Sequence, residues 1–126
     1  MHWEYHKRCD TKNNFGFVYL ITQKETKKAY IGCKQYFVKK NKKSVESNWR
    51  IYTGSNKTLN EEIDVLGKKH FRFQIIGEYK NKRSLRYYEC YHQMINHVLT
   101  AKLEGTDEAA YYNNYIGGKF PRPVQD

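Results

Sequence analysis

The chain has 126 residues and carries 23 Lys and Arg against 13 Asp and Glu, a formal charge of +10; it is 39% hydrophobic and 16% aromatic, with twelve tyrosines. That size supports one domain around a single modest core, and the basic excess points to a polyanion, nucleic acid above all, bound through phosphate contacts and counterion release. No apolar stretch reaches membrane-spanning length, MHWEYHKRCD lacks the apolar core of a signal peptide, and neither end reads as a basic amphipathic helix, which argues against a membrane partner.

Residues 1–14 read as a polar extension with a frayed terminus, closed by Lys12-Asn13-Asn14. His2, His6 and Cys9 have helical metal-ligand spacing, but no second ligand pair follows. Phe15 to Thr22 is β-branched and aromatic on both alternating faces, as a central strand covered on each side would be. A charged turn leads to a second strand over Ala29 to Cys33, and the two make an antiparallel hairpin. The basic run Lys39 to Lys43 comes next, then a segment around Trp49-Arg50-Ile51-Tyr52. Thr58 to Leu66 is expected to be helical, with Thr58 and Glu61 at capping-box spacing and Gly67 as its C-terminal cap. His70 to Tyr79 alternates as a third strand whose Arg72 and Gln74 face solvent. Ser84 caps a long helix over about Leu85 to Lys102, with Leu85, Tyr88, Tyr91, Ile95, Val98 and Leu99 as its buried stripe. Glu89 lies on the flank of that stripe, near His92 and Asn96. The domain is expected to run from 15 to 120, followed by a short tail over 121–126. Tyr115-Ile116-Gly117 has no evident partner strand. Cys9, Cys33 and Cys90 are odd in number and far apart, as free thiols in a reducing, cytoplasmic setting would be.

Register decides whether Tyr19 and Tyr30 meet. Cross-strand partners point to one face, and a one-residue slip reverses that. A four-residue loop over Lys24 to Lys27 sets Tyr30 opposite Ile21 and puts both tyrosines on one face; other loop lengths separate them.

Phe17-Val18-Tyr19 followed eleven residues later by Tyr30-Ile31-Gly32, then a basic aromatic segment, a helix, a strand, a long helix with an internal glutamate and a Tyr-Asn tail, resembles the GIY-YIG nuclease family from Phe15 to about Asn114. Glu46-Ser47-Asn48-Trp49-Arg50 and Tyr52-Thr53-Gly54-Ser55 are most similar to small phage-encoded, homing-type (Seg-like) endonucleases. The chain departs from the pattern at the first triplet, where Phe17 and Val18 replace glycine and isoleucine and Gly16 comes one place early.

The resemblance implies an α/β fold, a three-stranded, mostly antiparallel sheet flanked by helices, and metal-dependent hydrolysis of DNA phosphodiester bonds. It makes Glu89 the ligand of Mg2+ or Mn2+, in keeping with the oxygen ligands such ions take. Tyr19 would accept the proton of the attacking water and Tyr30 would position water or phosphate. An ordinary tyrosine, with a pKa near 10, needs nearby positive charge to act as a base. Arg50 is the nearest arginine where the family places a phosphate-stabilising one; Lys34, on the strand face of Tyr30, and Lys40 are the other candidates. Asn113 matches the family's late asparagine, a hydrogen-bonding support. Lys39, Lys40, Lys42, Lys43, Lys68, Lys69 and Arg72 are expected to follow the backbone of double-stranded DNA, which positions the substrate without reading bases. Target recognition falls to the domain's own loops, a homodimer on DNA or another protein. The rival function is a catalytically inactive basic DNA- or RNA-binding module of the same fold.

Overall fold

The β-branched and aromatic run at the start of the domain forms the centre of the sheet. In the computed structural model, which describes residues 1–123, the elements in chain order are β1 (Trp3–Glu4), β2 (Gly16–Gln23), β3 (Ala29–Gln35), β4 (Phe37–Lys40), β5 (Lys43–Glu46), α1 (Lys57–Leu66), β6 (Phe71–Tyr79), α2 (Lys82–Ile95), β7 (Tyr115–Ile116) and β8 (Phe120–Pro121). Short 3-10 turns occupy Trp49–Ile51 and Lys68–His70. Of the tail expected over 121–126, positions 124–126 lie outside the described residues. No helix among the described residues is long and apolar enough to cross a membrane.

The fold is mixed α/β, and its main sheet has the order β1-β6-β2-β3. β2 is antiparallel to both neighbours, and β1 adds a short parallel strand outside β6. The sheet thus has a fourth strand where three were expected, and the N-terminus is tied down rather than frayed. Trp3 is the cause: its indole is buried in the core and Nε1 donates to the Trp49 carbonyl at 2.7 Å, while His2 Nε2 reaches the Tyr52 carbonyl at 2.8 Å.

The β2–β3 hairpin has the register that sets Ile21 opposite Tyr30 and Tyr19 opposite Gly32. Odd-numbered residues of β2 (Phe17, Tyr19, Ile21) pack with Trp3, Trp49, Leu59, Ile63 and Phe73 on the α1 face. Val18 packs with Ile31, Leu85, Val98, Leu99 and Ile116 on the α2 face. The ladder between β2 and β6 slips between Val18 and Tyr19, a bulge that leaves Ile76 as the extra residue. Gly16 is required by close approach, since a Cβ there would sit 2.3 Å from the Lys34 carbonyl oxygen.

α1 ends at Gly67, whose φ of 92° suits glycine. Its N-cap is Asn56 rather than Thr58; the Asn56 side chain accepts from the Leu59 N–H at 2.9 Å. α2 is shorter than expected. Asn81, not Ser84, caps it, and it stops at Ile95 before His97, which takes a φ of 52°. Its buried face is Leu85, Glu89 and Gln93, whereas Tyr88, Tyr91 and Ile95 of the expected stripe are exposed. Tyr88 instead stacks on Tyr79 at 4.7 Å between ring centroids.

β3 is an edge strand, and a bare edge leaves backbone groups unpaired. Here the late segment covers it. Ala29 N–H donates to the Ala110 carbonyl, Tyr112 N–H donates to the Ala29 carbonyl, and Asn113 caps Ile31.

Candidate active site

The edge of β3, the N-terminus of α1, one face of α2 and the late segment converge on a cavity of about 360 Å³. Tyr30 and Cys33 come from the strand, Ser55 and Lys57 from the entry to α1, Arg86, Glu89 and Gln93 from α2, and Asn113 and Gly117 from the late segment.

Glu89 is the unusual group. It is 9% exposed, and its Oε1 is buried without a hydrogen-bond partner. The only comparable oxygen among the described residues is Glu78 Oε1, but the other oxygen of Glu78 accepts from Tyr36 Oη and the Asp10 N–H. No hydrogen bond reaches Oε1 within the described protein, and Cys33 is the polar neighbour of the carboxylate. Its nearest cation is Arg86, with Nε 3.8 Å from Oε1, too long for a hydrogen bond. Burial pushes the Glu89 carboxyl above its ordinary range, and Arg86 only partly offsets this. The Cys33 thiol is pushed up to about 12 by burial and by the neighbouring Glu89 charge. A buried carboxylate oxygen without a donor is what an oxygen-seeking divalent cation would occupy, and the residues present fit such an ion.

Beside Glu89 the cavity is lined by amides. Asn113 accepts from the Ile31 N–H at 3.1 Å and donates to its carbonyl at 2.8 Å. Gln93 donates to the same carbonyl at 2.9 Å and accepts from the Gly117 N–H at 2.7 Å. Arg86 donates from Nη2 to the Gly117 carbonyl at 2.9 Å, which holds its guanidinium at the cavity. These bonds lock together the strand that carries Tyr30 and the helix that carries Glu89.

Tyr19 and Tyr30 are brought together, with ring centroids 6.2 Å apart. Their surroundings differ. Tyr30 lines the cavity and its hydroxyl pairs with Ser55 Oγ at 3.0 Å. Tyr19 is 1% exposed and lies behind it, over Gly32, where a Cβ would meet the Tyr19 hydroxyl at 2.5 Å. Burial raises both hydroxyls, Tyr19 by far the more. Positive charge was expected to lower Tyr19 into the range of a base; in the protein as folded, burial first, and then the neighbouring Tyr30, Tyr52, Cys33 and Glu89, act the other way.

A family model described as "Putative endonuclease segE, GIY-YIG domain" matches residues 3–116. The chain belongs to this GIY-YIG endonuclease domain family. No curated protein and no solved structure matches it. The matched span takes in the cavity lining up to Tyr115, leaving out Gly117 and Gly118, and it includes β1, so the short N-terminal strand is part of the GIY-YIG domain here.

Within the GIY-YIG domain, Tyr30, Glu89 and Asn113 line one cavity, with Tyr19 directly behind. Lys34 is one step along β3, its Nζ 4.1 Å above the Tyr52 ring in an adjoining cleft. Arg50 is not at the cavity. It stacks on Trp49 and pairs with Glu46 at 2.9 Å, an (i, i+4) contact that holds it beside the N-terminal segment. Lys40 sits with Lys39, Lys42 and Lys43 on the exposed β4–β5 hairpin. Lys68 and Lys69 lie on the 3-10 turn after α1. Arg72 lies on β6, across β2 from the edge that carries Tyr30, and is paired with Glu4, so it is not a free phosphate contact. His92 is half-buried and has no place in the lining.

Sequence reasoning passed over Arg86, Gln93, Ser55 and Gly117. The signal for Arg86 was its (i, i+3) spacing to Glu89, and for Gln93 the (i, i+4) spacing that puts two polar groups on one buried face. Tyr115-Ile116-Gly117 does have a partner strand: β7 pairs with β8, and Gly117 donates its N–H to Gln93 and accepts from Arg86.

Proposed function

We propose that this GIY-YIG domain hydrolyses DNA phosphodiester bonds with a divalent cation, Mg2+ or Mn2+, held by Glu89. The observation that supports this reading best is the buried, unpartnered Glu89 oxygen in a cavity ringed by hydroxyls, amides and an arginine. When bound, the cation supplies Lewis-acid polarisation of the phosphate and charge for the leaving oxygen.

The chain's own groups do the rest. Tyr30, hydrogen-bonded to Ser55, is the hydroxyl that reaches the substrate; it orients the attacking water and takes its proton once positive charge enters the cavity and lowers its pKa. Tyr19 is a positioning residue that backs the Tyr30 ring. Arg86 replaces Arg50 as the guanidinium for the phosphate oxygens, because it alone of the two stands at the cavity. Asn113 and Gln93 hold the β3 edge in register with α2. A homing-type role is part of the proposal and is supported only by resemblance to Seg-like endonucleases.

The test is plasmid cleavage with magnesium or manganese. The wild-type chain should cut, Tyr30→Phe should cut about 10²-fold more slowly, and Glu89→Gln should bind DNA without cutting. A wild-type chain that cuts no DNA with either ion overturns the enzyme reading and leaves a basic binding module.

A further inference from the structure

The β4–β5 hairpin is an arm built against the preferences of its own fold. All eight strand residues are exposed, and no face of it packs on the main sheet. Isolated two-stranded hairpins are marginal in water. The base is nevertheless firmly clamped. Tyr36, fully buried between β3 and β4, donates to Glu78 at 2.7 Å, and Ser47 bonds back to Gln35 and Tyr36. At the tip, Lys40 stands directly opposite Lys43, a repulsive cross-strand pair. Lys42 takes a φ of 64°, where glycine would be the relaxed choice. Folding alone does not select these lysines.

What the arm faces gives them a purpose. A cleft of about 720 Å³ lies between it, the segment before β2 and the start of α2, and Lys12, Lys39 and Lys82 line it. That cleft shares Phe15, Gln35 and Lys82 with a second one, which adds Lys34 and Arg86. The second shares Cys33 and Arg86 with the Glu89 cavity. The three adjoin one another through these shared residues. Among the described residues no carboxylate lines this course before Glu89, and Lys12, Lys34, Lys39 and Lys82 make no ion pair. Unpaired cations in a row match the regular charge of a nucleic-acid backbone.

We infer that the course from the β4–β5 arm past Lys82 and Lys34 to Arg86 is a channel that seats one strand's phosphate backbone of duplex DNA and delivers it to Glu89. This rests on the DNA-cleaving reading above and goes beyond it by giving the substrate a path along the surface. The arm is the outer wall of the channel, and its tip lysines reach the same duplex farther along.

The test compares two triple variants in a Glu89→Gln background, by titrating a 30-base-pair duplex of arbitrary sequence across a range of salt. Lys12→Ala/Lys39→Ala/Lys82→Ala removes three channel cations. Lys24→Ala/Lys27→Ala/Lys102→Ala removes three that line none of the three clefts. The channel triple should lower the slope of log affinity against log salt by about 2–3 and weaken binding at least tenfold at 0.1 M salt. The control triple should leave the slope within about 0.5 of the parent. Equal losses from both triples, or none from the channel triple, overturn the channel and leave DNA binding intact. A parent protein that binds no duplex at any salt overturns the DNA reading itself.

Discussion

The two faces of the sheet are built on different principles. The α1 face is an aromatic core in which Phe17, Tyr19, Trp3, Trp49 and Phe73 meet at centroid separations of 5–6 Å, over Leu59 and Ile63. The α2 face has a smaller aliphatic core and buries Glu89, Gln93 and Asn113 beside it. Burying aromatic surface is strongly favourable, while a buried carboxylate without a partner is not. The first face therefore carries the stability that allows the second to hold an unsatisfied charge.

The comparison is broken most directly at Glu89. Glu89→Gln should lower cleavage by about 10³-fold or more, yet raise stability. The sign follows from burial, which holds the carboxyl above its ordinary value of 4.5. Stability from such a group is complete below the unfolded pKa and is lost as pH rises through the folded one. At pH 7 the metal-free variant should melt above wild type, and the gap should close as pH falls towards 4.5. A variant that melts below wild type at neutral pH would mean that Glu89 is a structural carboxylate.

On the other face, Trp49→Ala should cost about 3–5 kcal/mol in denaturant unfolding, while cleavage per folded molecule changes little. Arginine exchanges sharpen the contrast next: Arg86→Ala should slow cleavage about 10²-fold, and Arg50→Ala should stay within about twofold because that exposed pair with Glu46 contributes little. Asn113→Ala strips partners from Ile31 at a cost of about 1–3 kcal/mol. Smallest of all, Met94→Gln on the exposed side of α2 should shift stability by less than about 0.5 kcal/mol.

The same contrast explains what could be read from the sequence. The hairpin was legible from two β-branched and aromatic runs around a polar turn, but its register was open until the structure set Ile21 opposite Tyr30. α1 and β6 were legible through a glycine cap and period-two apolar residues. The buried face of α2 was not: its tyrosines mark an apolar stripe, but the residues turned inward are those that build the cavity and hold it together. β1 was missed because Trp3 is anchored by a partner 46 residues away. The arm was missed because Lys-rich strands and a turn without glycine lack the usual hairpin signals. Arg50 was misplaced although Glu46, four residues earlier, was in view as its local partner.

The late segment that covers β3 also sets an order of assembly. Asn113 and Gly117 supply one wall of the cavity, and Asn113 bonds both backbone groups of Ile31. Until those residues have left the ribosome and docked, Tyr30 and Glu89 have no shared enclosure. The cavity is therefore completed by one short segment that comes late in the chain.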